Sequence, residues 1–104
     1  MFVFSHIIDN KILRKAVEFF GERNQEDVAI EEMSELTKAL IKNRRYNNHK
    51  TRADVREEMA DVFIMLNQLC IIYGFDEQIV NDKIGRLNLM IEREVQNNIA
   101  SQGK

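Results

Sequence analysis

Four carboxylates stand at positions where a helical protein normally places apolar side chains. The chain carries Glu31-Glu32-Met33-Ser34-Glu35-Leu36 and, further on, Glu57-Glu58-Met59-Ala60-Asp61-Val62. Both segments read as two acids, a methionine, a small residue, an acid and an aliphatic. At about 100° per residue on a helix, Val28, Ala29, Met33, Leu36, Ala39 and Leu40 define one apolar arc. Glu32 falls inside that arc and Glu35 at its edge. In the second segment Val55, Met59, Val62, Phe63, Leu66, Leu69 and Tyr73 form the arc, with Glu58 inside it and Asp61 at its edge. An isolated buried carboxylate is costly, and converging ones also repel each other. A divalent cation resolves that conflict. Hard ions such as Mg²⁺ prefer oxygen ligands, and acids one turn apart on facing helices are a known way to build such a site. Neither motif contains histidine, which argues against di-iron or zinc chemistry.

One acidic motif alone is common on solvated helix faces, and lysines or arginines can neutralise acids without any metal. The case rests on two motifs, each in phase with an apolar face. Glu31 and Glu57 fall outside the arcs and read as solvent-facing.

The elements that must position these acids are helices. The chain has no proline and 4 glycines, and such scarcity of breakers favours long helices with short links. Periodicity and punctuation predict a helix from about Asp9 to Phe20 ending at Gly21, and a second from Gln25 to Asn43. A polar loop follows over Arg44–Lys50, including Tyr46-Asn47-Asn48-His49. The third helix is predicted from Thr51 or Asp54 to Tyr73, stopped by Gly74. A fourth, capped by Asp76, runs to about Asn97, with frayed residues from Ser101 onward. The expected architecture is all-α, a four-helix-bundle-like single domain over residues 1–104.

With 104 residues, the chain buries only about 60–70% of the surface its unfolded form exposes, so self-association is expected. Ile64 and Ile71 lie opposite the main arc of the third helix and predict an oligomer interface. The net charge of −2, with 44% hydrophobic and 31% charged residues, is that of an ordinary globular domain. It carries no electrostatic footprint for nucleic acid or an anionic membrane. The single cysteine, Cys70, excludes a disulfide within the chain. No apolar stretch reaches spanning length and no leader pattern is evident at Met1-Phe-Val-Phe, so a soluble, cytoplasmic protein is expected.

The acidic pattern resembles that of the MazG-like, all-α nucleotide pyrophosphohydrolases, a broad group that includes dimeric dUTPases, dCTP pyrophosphatases and phosphoribosyl-ATP pyrophosphohydrolase. Their signature of EExxE followed by ExxD stands here as Glu31-Glu32-x-x-Glu35 and Glu58-x-x-Asp61, and the resemblance covers roughly residues 25–90. It implies hydrolysis of a nucleoside triphosphate to the monophosphate and pyrophosphate. It implies Mg²⁺, with Mn²⁺ as a substitute, on Glu32, Glu35, Glu58 and Asp61, and a metal-activated water assisted by a carboxylate, Glu35 or Glu58. It further implies phosphate contacts from Lys83 and Arg86 on the fourth helix, and a homodimer or homotetramer. Lys83 falls within the apolar arc of Ile79, Val80, Ile84, Leu87, Met90 and Ile91, and Arg86 at its edge. Many relatives have an asparagine four residues after this lysine, where this chain has Leu87, followed by Asn88. Action on phosphoribosyl-ATP and a non-catalytic helical assembly role are the alternatives.

The remaining features read more simply. Phe2, Phe4, Phe19, Phe20 and Phe63 fit core packing by their spacing. His6 and His49 show no ligand spacing. Lys42, Arg44, Arg45, Lys50 and Arg52 read as a solvated basic cluster around the loop. No GxxxxGK[ST] phosphate loop and no dinucleotide-binding glycine pattern occurs.

Overall fold

Two glycines and an asparagine pair punctuate an otherwise continuous helical chain. The computed structural model describes residues 10–103, in which the order is α1 (Asn10–Phe20), α2 (Glu22–Tyr46), α3 (His49–Tyr73) and α4 (Glu77–Gln102). The fold is all-α, as expected. The chain divides into two compact units, residues 1–74 and 75–104. Phe2, Phe4, His6 and the expected start at Asp9 lie outside the described residues.

Gly21 has φ +93° and Gly74 φ +86°, backbone conformations that cost an L residue with a side chain dearly. At Gly21 one residue serves as the whole link. Its N–H donates to Val17 O at 2.9 Å to close α1, and its carbonyl accepts from Gln25 N at 3.0 Å to open α2. Hence α2 begins at Glu22, earlier than the Gln25 suggested by periodicity.

The predicted loop over 44–50 shrinks to two residues. Arg44, Arg45 and Tyr46 are helical. Asn47 takes the left-handed conformation (φ 43°, ψ 61°) and its N–H donates to Asn43 O, closing α2. Asparagine is one of the few L residues that adopts this state readily. Asn48 then caps α3: its Oδ1 accepts from Thr51 N at 2.9 Å, while Thr51 Oγ1 accepts from Asn48 N at 3.0 Å. This reciprocal capping moves the start of α3 forward to His49. At the other end of the chain Asp76 caps α4 as expected, accepting from Gln78 N and Ile79 N. With no glycine or proline between Asn97 and Gly103, α4 runs on to Gln102, beyond the predicted end at Asn97.

Two polar clamps fix how α2 lies against α3. At the linker, Thr51 Oγ1 donates to Asn43 Oδ1 at 2.9 Å. At the far end the buried Gln25 Nε2 donates to Gln68 Oε1 at 2.7 Å. The helices are therefore antiparallel, and counting inward from either clamp sets Ala29 across from Met65, Glu32 across from Asp61, and Glu35 across from Glu58. α1 packs on both helices through Leu13 and Val17. Among the described residues the buried apolar side chains are Leu13, Val17, Ala29 and Met65.

The packed faces differ from the predicted arcs. Met33, Leu40, Met59, Leu66 and Tyr73 are exposed, and the face of α3 turned inward carries Thr51, Met65 and Gln68 instead. A helix apolar nearly all round gives periodicity little to choose between. The two clamps choose, because buried glutamines are tolerated only when hydrogen-bonded: Gln25 Nε2 donates to Gln68 Oε1, while Gln25 Oε1 accepts from Asn24 and Gln68 Nε2 donates to Met65 Sδ. Phe19 and Phe20 are exposed and meet edge to face at 5.0 Å, so the expected core role does not hold for them. Phe63 is half-buried. Taken by itself, α4 carries no buried residue, and its apolar residues Ile84, Leu87 and Ile91 are exposed.

Candidate metal centre

The repeated acidic motif acquires a geometric meaning once the helices are antiparallel. Two copies of one pattern, running in opposite directions, are related by an approximate twofold axis across the helix pair. That axis exchanges Glu32 with Glu58 and Glu35 with Asp61, so both motifs face one place. Carboxylate oxygens of Glu32, Glu58 and Asp61 all lie within 4.8 Å of one another.

The electrostatics follow from this crowding. The Glu32 carboxyl is raised above its ordinary 4.5, first by partial desolvation and then by repulsion from Asp61, Glu58, Glu31 and Glu35. Glu58 is raised for the same reasons, desolvation first, then Asp61, Glu35, Glu57 and Asp54. Both are half-buried.

No lysine or arginine among the described residues 10–74 compensates the three clustered acids. The ion pairs between described residues are Lys38–Glu35 at 3.7 Å and Lys50–Asp54 at 3.1 Å. Within residues 10–74 no lysine or arginine pairs with Glu32, Glu58 or Asp61. Neutralisation by lysines or arginines of residues 10–74 is thus not what these three acids adopt.

The donor set fits a hard divalent ion. Oxygens about 2.1 Å from Mg²⁺ in an octahedron are roughly 3.0–4.2 Å apart. The three carboxylates, with oxygens all within 4.8 Å of one another, are compatible with that spacing. All-oxygen donors without nitrogen or sulfur suit Mg²⁺ or Mn²⁺ over zinc.

Of the sequence-predicted site residues, Glu32, Glu58 and Asp61 come together. Glu35 stands next to them, within Coulombic reach of both Glu32 and Glu58. It lines a cavity of about 280 Å³ together with Glu58, Glu57, Asp54, Lys38 and Lys42. Lys83 and Arg86 lie one turn apart on α4, both exposed, in the unit formed by residues 75–104. Sequence reasoning missed Lys38 as a site residue and placed Lys42 in a solvated loop cluster. Their spacing of one turn from each other, beginning one turn after Glu35, was the available signal. His49 opens α3 and is no part of the acidic cluster. Cys70 is half-buried, and desolvation pushes its thiol up, the opposite of what a reactive thiolate needs.

Compared with known proteins, the chain matches no family model, no curated protein and no solved structure. Among the described residues no helix is long and apolar enough to cross a membrane.

Proposed function

We propose that this chain is a Mg²⁺-dependent nucleoside triphosphate pyrophosphohydrolase, working as the MazG-like enzymes that its motifs resemble. Water adds to the α-phosphorus, the bond from that phosphorus to the bridging oxygen breaks, and nucleoside monophosphate and pyrophosphate leave. The observation that carries the reading is the convergence of Glu32, Glu58 and Asp61, from two helices, with no basic side chain of their unit paired to them.

Mg²⁺, when bound, supplies charge neutralisation at the phosphates and acidifies water. The protein's own contribution is to hold and orient. Glu32, Glu58 and Asp61 would ligate the ion, anchored on two helices whose register is fixed by the Gln25–Gln68 and Asn43–Thr51 bonds. A site mounted on helices held at both ends loses little orientation between turnovers. Glu35, across from Glu58 and beside the cluster, would accept the proton of the attacking water, with Glu58 as the other carboxylate that could. The resemblance assigns Lys83 and Arg86 to the phosphates, Mn²⁺ as a working substitute, and a homodimer or homotetramer as the assembled form.

The test is a panel of canonical and modified NTPs and dNTPs incubated with Mg²⁺ and scored for monophosphate and pyrophosphate. At least one substrate is expected to turn over. Glu58→Gln and Asp61→Asn should each lower kcat/KM by about 100-fold or more while retaining the helical circular dichroism of the parent. Turnover that survives both substitutions, or none with any substrate, overturns the reading.

A further inference from the structure

α2 continues past the carboxylates as a track of a different chemistry. The 280 Å³ cavity that reaches Glu35 and Glu58 is also walled by Lys38 and Lys42. A second hollow, of about 350 Å³, shares both lysines and adds Ile41, Arg45 and Tyr46. Lys38, Lys42 and Tyr46 follow one another at four-residue intervals, so they lie along one stripe of the helix, each about 6 Å beyond the last. The stripe changes character along its length, from acids through two ammonium groups to an aromatic ring beside an aliphatic side chain. Tyr46 is 56% exposed and Ile41 59%, so both apolar surfaces are open to a ligand.

The lysine pair itself asks for a polyanion. Like charges one turn apart on a helix repel, Lys38 is held only by a 3.7 Å pair with Glu35, and Lys42 makes no ion pair with a described residue. We propose that Lys38 and Lys42 hold the triphosphate of a nucleotide beside the carboxylates, and that Tyr46 with Ile41 forms the seat for its base. This rests on the nucleotide-hydrolase reading above and adds a specificity to it. A seat built from a ring face and an aliphatic chain, with Arg45 at its side, stacks any base, because every base has a π-face. The seat therefore selects for the presence of a base and discriminates weakly among bases.

The experiment is binding to the full chain, followed by NMR in the presence of Mg²⁺. The probes are the α,β-methylene analogues of dATP, dCTP, dGTP and dTTP, which cannot be cleaved at that bond, and inorganic tripolyphosphate, which lacks a base. Tyr46 ring signals are identified by their loss in Tyr46→Leu, the chain's other tyrosine being Tyr73. All the analogues are expected to shift the Tyr46 ring signals, and tripolyphosphate to leave them in place. Tyr46→Leu should weaken each analogue about tenfold and tripolyphosphate by less than about twofold. Lys42→Gln should weaken both kinds of probe. The proposal is overturned if the analogues fail to bind, if they bind without moving the Tyr46 ring, or if Tyr46→Leu weakens tripolyphosphate as much as the nucleotides. Analogues that seat on Tyr46 while the natural dNTPs stay uncleaved would remove the hydrolase reading and leave the seat. Cleavage without involvement of Tyr46 would do the reverse.

Discussion

Glu32 shows how much one side chain can report about the site. Its carboxyl is raised by desolvation and by the neighbouring acids, so in the metal-free protein the folded state holds this proton more tightly than the unfolded state does. Stability contributed by the protonated form is complete below the ordinary 4.5 and is lost as pH climbs through the raised value. Removing the charge should remove the penalty. Glu32→Gln is expected to raise the melting temperature of the metal-free protein by a few degrees at pH 7. The gain should disappear below the ordinary carboxylate range. Thermal melts of both proteins in chelator, from pH 4 to 8, measure this directly. A variant less stable than the parent at pH 7 would show that Glu32 makes a favourable contact in the metal-free fold. If Glu32 ligates Mg²⁺ as proposed, the same substitution should abolish any stabilisation by the ion.

At the scale of the helices, the α2–α3 pair is specified by polar bonds at its ends. Replacing Gln68 alone by leucine leaves the buried Gln25 amide without its partner, which costs about 1–3 kcal/mol. Replacing both by leucine should recover most of that loss, because neither polar group then remains unsatisfied. Urea denaturation of the single and double variants reads the difference as a shift in midpoint at constant slope. An additive double variant would mean that the bond does not couple the helices. This pairing also explains what the sequence concealed. The existence of the helices, the Gly21 and Gly74 breaks and the Asp76 cap were legible, because each depends on local chemistry. The acidic repeat was legible too, because helical phase is a property of neighbours in sequence. The choice of inward face on α3 was not. Met59 and Leu66 are as apolar as Met65, and only a partner forty-odd residues away, Gln25 for Gln68, decides between them. The two-residue link was hidden for a related reason. Tyr46-Asn47-Asn48-His49 has the composition of a loop, yet Asn47 closes one helix and Asn48 opens the next.

For the molecule as a whole, the helices of residues 10–74 carry exposed apolar side chains. Phe19, Phe20, Ile30 and Ile64 are exposed on α1, α2 and α3, a distribution that agrees with the expectation of self-association. Sedimentation at micromolar concentration should give two or four times the 12.3 kDa chain mass; a species of one chain mass would contradict it. The proposed metal centre can be tested in the same protein by following the melting temperature while Mg²⁺ is titrated into chelator-treated chain. An ion that binds only the folded state adds about 2.7 kcal/mol at a hundredfold excess over its dissociation constant, which for a chain of this size is roughly 10–20 °C. A saturable rise is expected for the parent, reproduced by Mn²⁺ and lost in Asp61→Asn. A melting temperature indifferent to both ions, or an equal rise in Asp61→Asn, would contradict it.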